Sequence, residues 1–414
     1  MKRLVVLGAG TAGTMVVNKL RKRLDEQWSI TVVEQSEVHY YQPGYLFLPF
    51  GTYEPEQVLK PTRKFIPKGV DFVHGEIDRV LPEENVVVLA DGRRLPYDYL
   101  VIATGTAPRP DQTPGMLDGG QWHRSVHDFY SFDGAMALRE ALRDFTSGRL
   151  VVHVTEMPIK CPVAPLEFVF LAEAYLRERG IRDQVELVYA TPLPGAFTKP
   201  VASEALGHLL EDKKILLESD FMIESVDAEN KTIVSFDERE VPFDLLVTVP
   251  LNMGADYIAR SGMGDEFNYV PVDKHTLLST DHDNVFAIGD ASNIPASKAG
   301  AVAHFAVEVF EENFLQHIAG RPMTHRFDGH ANCFIESGDG KALLIDFNYD
   351  TEPLRGTFPL PKVGPMRLLE ESRINHMGKL AFRHMYWNLL LPGHRMPVPT
   401  LMSMSGKIIE SQES

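Results

Sequence analysis

Cysteine is almost missing from this chain: 414 residues carry only Cys161 and Cys333. Two thiols cannot staple a small scaffold. Their wide separation leaves neither a CxxC redox pair nor a zinc spacing, so no metal site is expected. Basic charge is also short, with 41 Lys and Arg against 57 Asp and Glu and a formal net charge of -16. That balance argues against general affinity for nucleic acid, which calls for a basic face. No run of 18 apolar residues occurs, so no helix is expected to span a bilayer unaided. Residues 1–7 lead straight into a strand pattern without the features of a secretory leader, and none is expected. Attachment to a membrane surface survives these exclusions. What remains is ordinary globular composition, 44% hydrophobic and 24% charged. The length suits two domains and a shorter segment beyond them.

The first recognisable unit is a strand at Leu4, Val5, Val6 and Leu7, followed by Gly8-Ala9-Gly10-Thr11-Ala12-Gly13. A helical stretch reaches about Arg23, and a second strand over residues 30–33 ends at Glu34. Strand, glycine turn, helix and a late acidic residue together predict a dinucleotide site. The glycines let backbone approach a pyrophosphate at a helix N-terminus, and Glu34 accepts hydrogen bonds from ribose hydroxyls.

An internal repeat extends the plan. Arg3-Leu4-Val5-Val6 recurs as Arg149-Leu150-Val151-Val152, and Leu95-Pro96-Tyr97-Asp98 as Val241-Pro242-Phe243-Asp244, both at an offset of 146. The chain therefore reads as two copies of one nucleotide-binding unit. The second copy has lost its phosphate loop, because Val154, Glu156 and Ile159 stand where Gly8, Gly10 and Gly13 stand in the first. Side chains there block a pyrophosphate and Pro158 removes a backbone donor, so a standard NAD(P)H site is not expected.

Two more segments give the cofactor. The strand ending at Thr104-Gly105 and the later stretch 285–290, ending in Gly289-Asp290, resemble motifs of the flavoproteins with two dinucleotide-binding domains. That resemblance implies FAD, held by Gly8, Ala9, Gly10, Thr11, Ala12, Gly13, Glu34, Gln42, Ile77, Thr104, Gly105, Gly289 and Asp290. Lys298, ahead of the following helix, is expected to stabilise reduced flavin together with that helix's N-terminal dipole. The fold class is accordingly α/β, with two tandem Rossmann-like domains and an amphipathic C-terminal membrane-binding segment. Its expected boundaries are 1–110 for the first part of the FAD domain, 111–275 for the second domain, 276–325 for the FAD return segment, and 326–414 for the C-terminal domain.

Cys161 opens the stretch Cys161-Pro162-Val163-Ala164-Pro165-Leu166-Glu167, in the place of the lost phosphate loop. With Cys333 and with Ser297-Lys298-Ala299-Gly300-Ala301, this stretch is similar to the sulfide:quinone oxidoreductases over nearly the whole chain. The resemblance implies a redox-active pair, Cys161 and Cys333, beside the flavin. Sulfide attacks one sulfur, the other leaves as thiolate, and two electrons pass through FAD to a quinone; by analogy Cys333 is the flavin-side sulfur. Glu167 is the nearest candidate for proton transfer, although a structural ion pair or helix cap suits it equally. A cationic or flavin-adjacent setting is expected to lower the thiol pKa enough to supply thiolate near neutral pH. The third cysteine of many bacterial members is absent, since residues 122–129 offer His123 and His127 instead.

Residues 362–407 hold seven Lys and Arg against Glu370 and Glu371. Among them Phe382, Met385, Tyr386, Leu389 and Leu390 recur at helical spacing with Trp387 adjacent, which suggests a helix lying in a membrane interface. Phe382, Tyr386, Trp387 and Leu390 are the expected quinone and membrane contacts. The partners expected are sulfide, a quinone, a membrane surface and, as one option, a second copy of the chain. Three rivals stand beside this reading. A flavocytochrome c flavoprotein subunit frequently uses a cysteine where Gln42 stands, a type II NADH:quinone oxidoreductase needs the missing second glycine loop, and a non-enzymatic flavin scaffold would not bleach with sulfide.

Overall fold

The computed structural model describes residues 1–396 and 398–409. The last residues of the expected 326–414 segment lie outside the described residues. Four helices frame the site: α1 (Thr11–Arg23), α2 (Ala164–Glu178), α3 (Gly300–Ile318) and α4 (Arg373–Met385).

Strand Lys2–Leu7 sits between Trp28–Glu34 and Tyr99–Ile102 in a five-stranded sheet closed by Val70–His74 and by Val285–Ala287, which returns from far downstream. A second five-stranded sheet places Gly148–Val154 between Val185–Ala190 and Leu245–Val249, with Leu216–Glu218 and Val126–His127 at its edges. The two orders correspond strand for strand. The registers also agree: Leu4 lies opposite Tyr99 in the first sheet and Leu150 opposite Leu245 in the second, each partner displaced by the sequence offset. The repeated aspartate has one job in both copies. Asp98 Oδ2 accepts from the Arg3 N–H at 2.7 Å and Asp244 Oδ2 from the Arg149 N–H at 2.8 Å, which pins each central strand at its start. Three-stranded sheets beginning at Ile77–Leu81 and Ile223–Asp227 follow the same offset.

Continuous apolar runs fill both five-stranded sheets, as strands covered on two faces require. Leu4, Val6, Leu7, Leu150 and Val152 are fully buried. α1 and α3 pack together over the first sheet, and Lys19 of α1 pairs there with Glu308 at 2.6 Å and Glu311 at 3.2 Å.

A four-stranded sheet comes next, with Ala331–Gly338 and Lys341–Phe347 as its leading pair. α4 lies on it. Ser372 caps the helix by accepting from the Asn375 N–H at 3.0 Å, and buried Asn375 donates to the carbonyls of Arg367 and Ala342. Gly378 allows the closest approach: a Cβ there would stand 2.9 Å from the Phe334 ring. No described helix is long and apolar enough to cross a membrane.

The tail departs from expectation in one respect. Tyr386, Trp387 and Leu390 are buried rather than turned to an interface. Trp387 stacks on Phe65 with centroids 5.3 Å apart, and Tyr386 packs against Tyr41 at 4.9 Å. Aromatic area finds better contacts against Phe65 and Tyr41 than in water, so these three side chains pack inward. The exposed large apolar side chains here are Ile374 and Met377 on α4 and Leu389 just beyond it.

Candidate functional site

One cavity of about 620 Å³ runs from the glycine loop to the C-terminal helix. Its walls include Gly8, Ala9, Gly10, Thr11, Ala12, Glu34, Gln42, Ile77, Thr104, Gly105, Gly289, Asp290 and Lys298. Gly13 alone of the expected cofactor set stands back, because it is used for packing: a Cβ there would lie 1.9 Å from the Gly8 carbonyl oxygen. Gly8 takes φ +92°, and a side chain on it would meet Ala103. Gly10 has nothing within 4 Å of its missing Cβ. The open space at Gly10, between two sterically required glycines, is what a pyrophosphate needs.

Two helices begin at this cavity, α1 after Gly10 and α3 after Ala299, and neither has a side-chain cap. Their first N–H groups are therefore left for a ligand, and anionic ligands suit them. Glu34 accepts from the Ala9 N–H at 2.7 Å and the Ser36 N–H at 2.9 Å, so its carboxylate is set at the loop's edge. Burial pushes the Asp290 carboxyl up. Lys298 donates to the carbonyls of Asp290 and Ser292 at 3.0 and 2.9 Å and stands over the Tyr269 ring. Burial brings its pKa down to about 8. It braces the loop as well as lining the cavity.

Cys161 sits where the second sheet's central strand, Gly148–Val154, feeds α2. Its φ of +48° is a left-handed conformation unusual for a side-chain-bearing residue. Three bonds hold it there: its N–H donates to the Lys298 carbonyl at 2.6 Å, and its carbonyl accepts from the Ala164 N–H at 2.9 Å and the Tyr130 hydroxyl at 3.0 Å. The loop is thus tied to the segment ahead of α3.

Cys333, on strand Ala331–Gly338, is not in the cavity wall but is near enough for Cys161 to affect its titration. Glu167 joins the two segments. Six residues after Cys161, it accepts from the N–H of Glu336, three residues after Cys333, at 2.7 Å. Lys379 of α4 closes the arrangement by donating to Glu167 and, at 3.2 Å, to the Phe334 carbonyl. His376 pairs with Glu336 at 2.9 Å.

The electrostatics overturn one expectation. Burial, reinforced by Glu167, pushes the Cys161 thiol up to about 12, and Lys379 offsets this only in part. Burial pushes Cys333 further, with the Cys161 charge adding to it. Desolvation of a thiolate outweighs one nearby ammonium. Burial also raises Glu167, against the pull of Lys379. Both cysteines are free thiols.

Phe382 and Tyr386 reach the cavity, while Trp387 and Leu390 do not. Sequence reasoning missed Lys379, Tyr130 and His39. Lys379 had one available signal, its place on the buried side of a helix whose neighbours are apolar. No group of three His, Cys, Asp or Glu suited to a metal occurs among the described residues.

The pyridine nucleotide-disulphide oxidoreductase family pattern matches residues 2–152. A mitochondrial sulfide:quinone oxidoreductase of Dictyostelium discoideum is 29% identical over 97% of this chain and 88% of its own. The mitochondrial sulfide:quinone oxidoreductase of Mus musculus is 26% identical over 94% of this chain and 86% of its own. Among solved structures, the sulfide:quinone oxidoreductase of Aquifex aeolicus superposes with a TM-score of 0.78, covering 95% of this chain and 92% of the other at 19% identity. That last likeness concerns the fold.

Proposed function

We infer that this chain, a homologue of the sulfide:quinone oxidoreductases over nearly its whole length, oxidises sulfide and reduces a quinone. It is an FAD-dependent enzyme. The observation that carries the reading is the joining of the Cys161 and Cys333 segments through Glu167 and Lys379 at one end of a dinucleotide cavity. Bound FAD would supply a two-electron acceptor there, with Gly8, Gly10 and Thr11 at its diphosphate, Glu34 at a ribose, and Asp290 and the α3 N-terminus at the far part.

The chain's own residues do the rest. In the oxidised pair an S–S bond joins the cysteines. Hydrosulfide attacks one sulfur, that bond breaks, and a persulfide forms on one cysteine while the other leaves as thiolate. A second hydrosulfide takes up the outer sulfur and leaves a thiol. When thiol and thiolate re-form the bond, two electrons and one proton are released. Glu167, raised by burial, lies close enough to both cysteine segments to take that proton. Lys379 stabilises the thiolate.

We read the two five-stranded sheets as cores of two domains, and the exposed Ile374 and Met377, with the basic tail, as the part that touches a membrane. Apolar contact plus about 1 kcal/mol per basic residue near anionic lipid is enough for peripheral binding. Phe382 and Tyr386 would then line the quinone end. Anaerobic titration of the purified protein with sulfide tests the function: flavin absorbance should bleach and return when a soluble quinone analogue is added. A flavin that sulfide leaves oxidised would overturn the proposal.

A further inference from the structure

The Tyr386 hydroxyl, just beyond α4, lies 2.8 Å from Thr11 Oγ1 and 2.7 Å from His39 Nε2. His39 Nδ1 lies 3.0 Å from the Ala9 carbonyl oxygen. Valence gives every one of these bonds a direction. A carbonyl oxygen only accepts, so Nδ1 carries the His39 proton and donates it to Ala9. Burial holds the ring neutral, with its pKa brought down to about 4. Nε2 is therefore an acceptor, and the Tyr386 hydroxyl donates to it. With that proton committed, the Tyr386 oxygen accepts from the Thr11 hydroxyl.

The chain of bonds thus begins and ends in the glycine loop, at the residues on either side of Gly10. Ala9 also receives the Thr14 hydroxyl at 2.8 Å, so its carbonyl is held from two sides, by Thr14 and by His39. Released, that carbonyl could turn its partial negative charge toward a bound diphosphate. Tyr386 and His39 are buried, 2% and 3% exposed, so water does not replace either partner readily.

We propose that Tyr386 and His39 latch the glycine loop in its diphosphate-binding form, making the seating of the C-terminal helix a condition for keeping the dinucleotide. Both act as positioning residues, and the proposal rests on the FAD reading above. It assigns to the tail a role in cofactor retention separate from membrane or quinone contact.

The test measures FAD release from the purified holoprotein after dilution, read as recovery of free flavin fluorescence. Tyr386→Phe keeps the ring and removes the latch, and about tenfold weaker retention is expected. Tyr53→Phe is the comparison, because the Tyr53 hydroxyl also holds this helix, at the Leu380 carbonyl (3.4 Å), with no contact to the glycine loop. It should retain FAD like the wild type. His39→Leu should match Tyr386→Phe, and the double variant should be no worse than either. Wild-type retention in Tyr386→Phe, or an equal loss in Tyr53→Phe, would overturn the latch while leaving the FAD reading intact. A wild-type protein that never holds FAD would overturn both.

Discussion

A thiol buried beside a carboxylate titrates late, and at Cys161 the two neighbours with the largest influence are an opposed pair. Burial first and Glu167 next raise its pKa, while Lys379 lowers it. These signs fix the direction of each substitution. Lys379→Met removes the lowering charge, so the pH midpoint for alkylation of Cys161 in the reduced protein should move upward and the rate at neutral pH should fall. Glu167→Gln removes a raising charge and should move the midpoint downward. Iodoacetamide labelling across pH, read by mass at Cys161, checks both, and shifts in the reverse directions would refute the assigned roles. The pair itself is tested by serine. Cys161→Ser and Cys333→Ser should each keep FAD yet fall below about a tenth of wild-type sulfide-driven flavin reduction, with the double variant scarcely worse, because residues acting as a unit are not additive.

At the scale of elements, α4 serves two sides. Its inner face sends Lys379 to Glu167 and leads on to Tyr386 at the glycine loop, while Ile374 and Met377 are 48% and 66% exposed on the outside. Removing everything from Arg373 onward would therefore mix effects: it would take away the proposed membrane contact and also the Lys379 and Tyr386 bonds at the cysteine site and the loop. Point changes separate them. Ile374→Asp with Met377→Asp should weaken binding to anionic liposomes by about tenfold or more, given ~1.5–3 kcal/mol for burying one large apolar side chain. Sulfide should still reduce the flavin of that variant, and unchanged flotation with liposomes would count against the docking face. The glycine loop, the repeat and Cys161 were legible because each is a local pattern or an echo of one. The latch and the Lys379 tie were not, since Thr11 and Tyr386 stand 375 residues apart and Lys379 and Glu167 stand 212 apart. Periodicity put Tyr386 in an apolar stripe with Trp387 beside it, but a stripe has the same spacing whether lipid or protein covers it.

Across the whole molecule, two sheets of one order carry opposite turns. In the first, Gly8 and Gly13 are required by close packing and Gly10 opens onto the cavity. In the second, the equivalent turn after Gly148–Val154 carries buried Ile159 and leads to Cys161, whose backbone is bonded to Lys298 on the first unit's side. A nicotinamide dinucleotide would need bare backbone N–H groups at a helix start there. It would meet instead Pro158, which has no N–H, and an α2 whose first turn carries Pro165 and the occupied carboxylate of Glu167. The second sheet thus keeps its order while its turn carries Cys161 and its helix carries Glu167, which is bonded to the strand that holds Cys333. Electrons should enter from sulfide and not from a nicotinamide. NADH and NADPH, offered anaerobically at concentrations where sulfide bleaches the flavin, should leave its absorbance unchanged over the same interval. Replacing Pro158 and Ile159 by glycine should not create the activity, because Glu167 and the Cys161 backbone would still occupy the approach. Rapid bleaching of the wild-type flavin by either nucleotide would show that the second turn binds a dinucleotide after all.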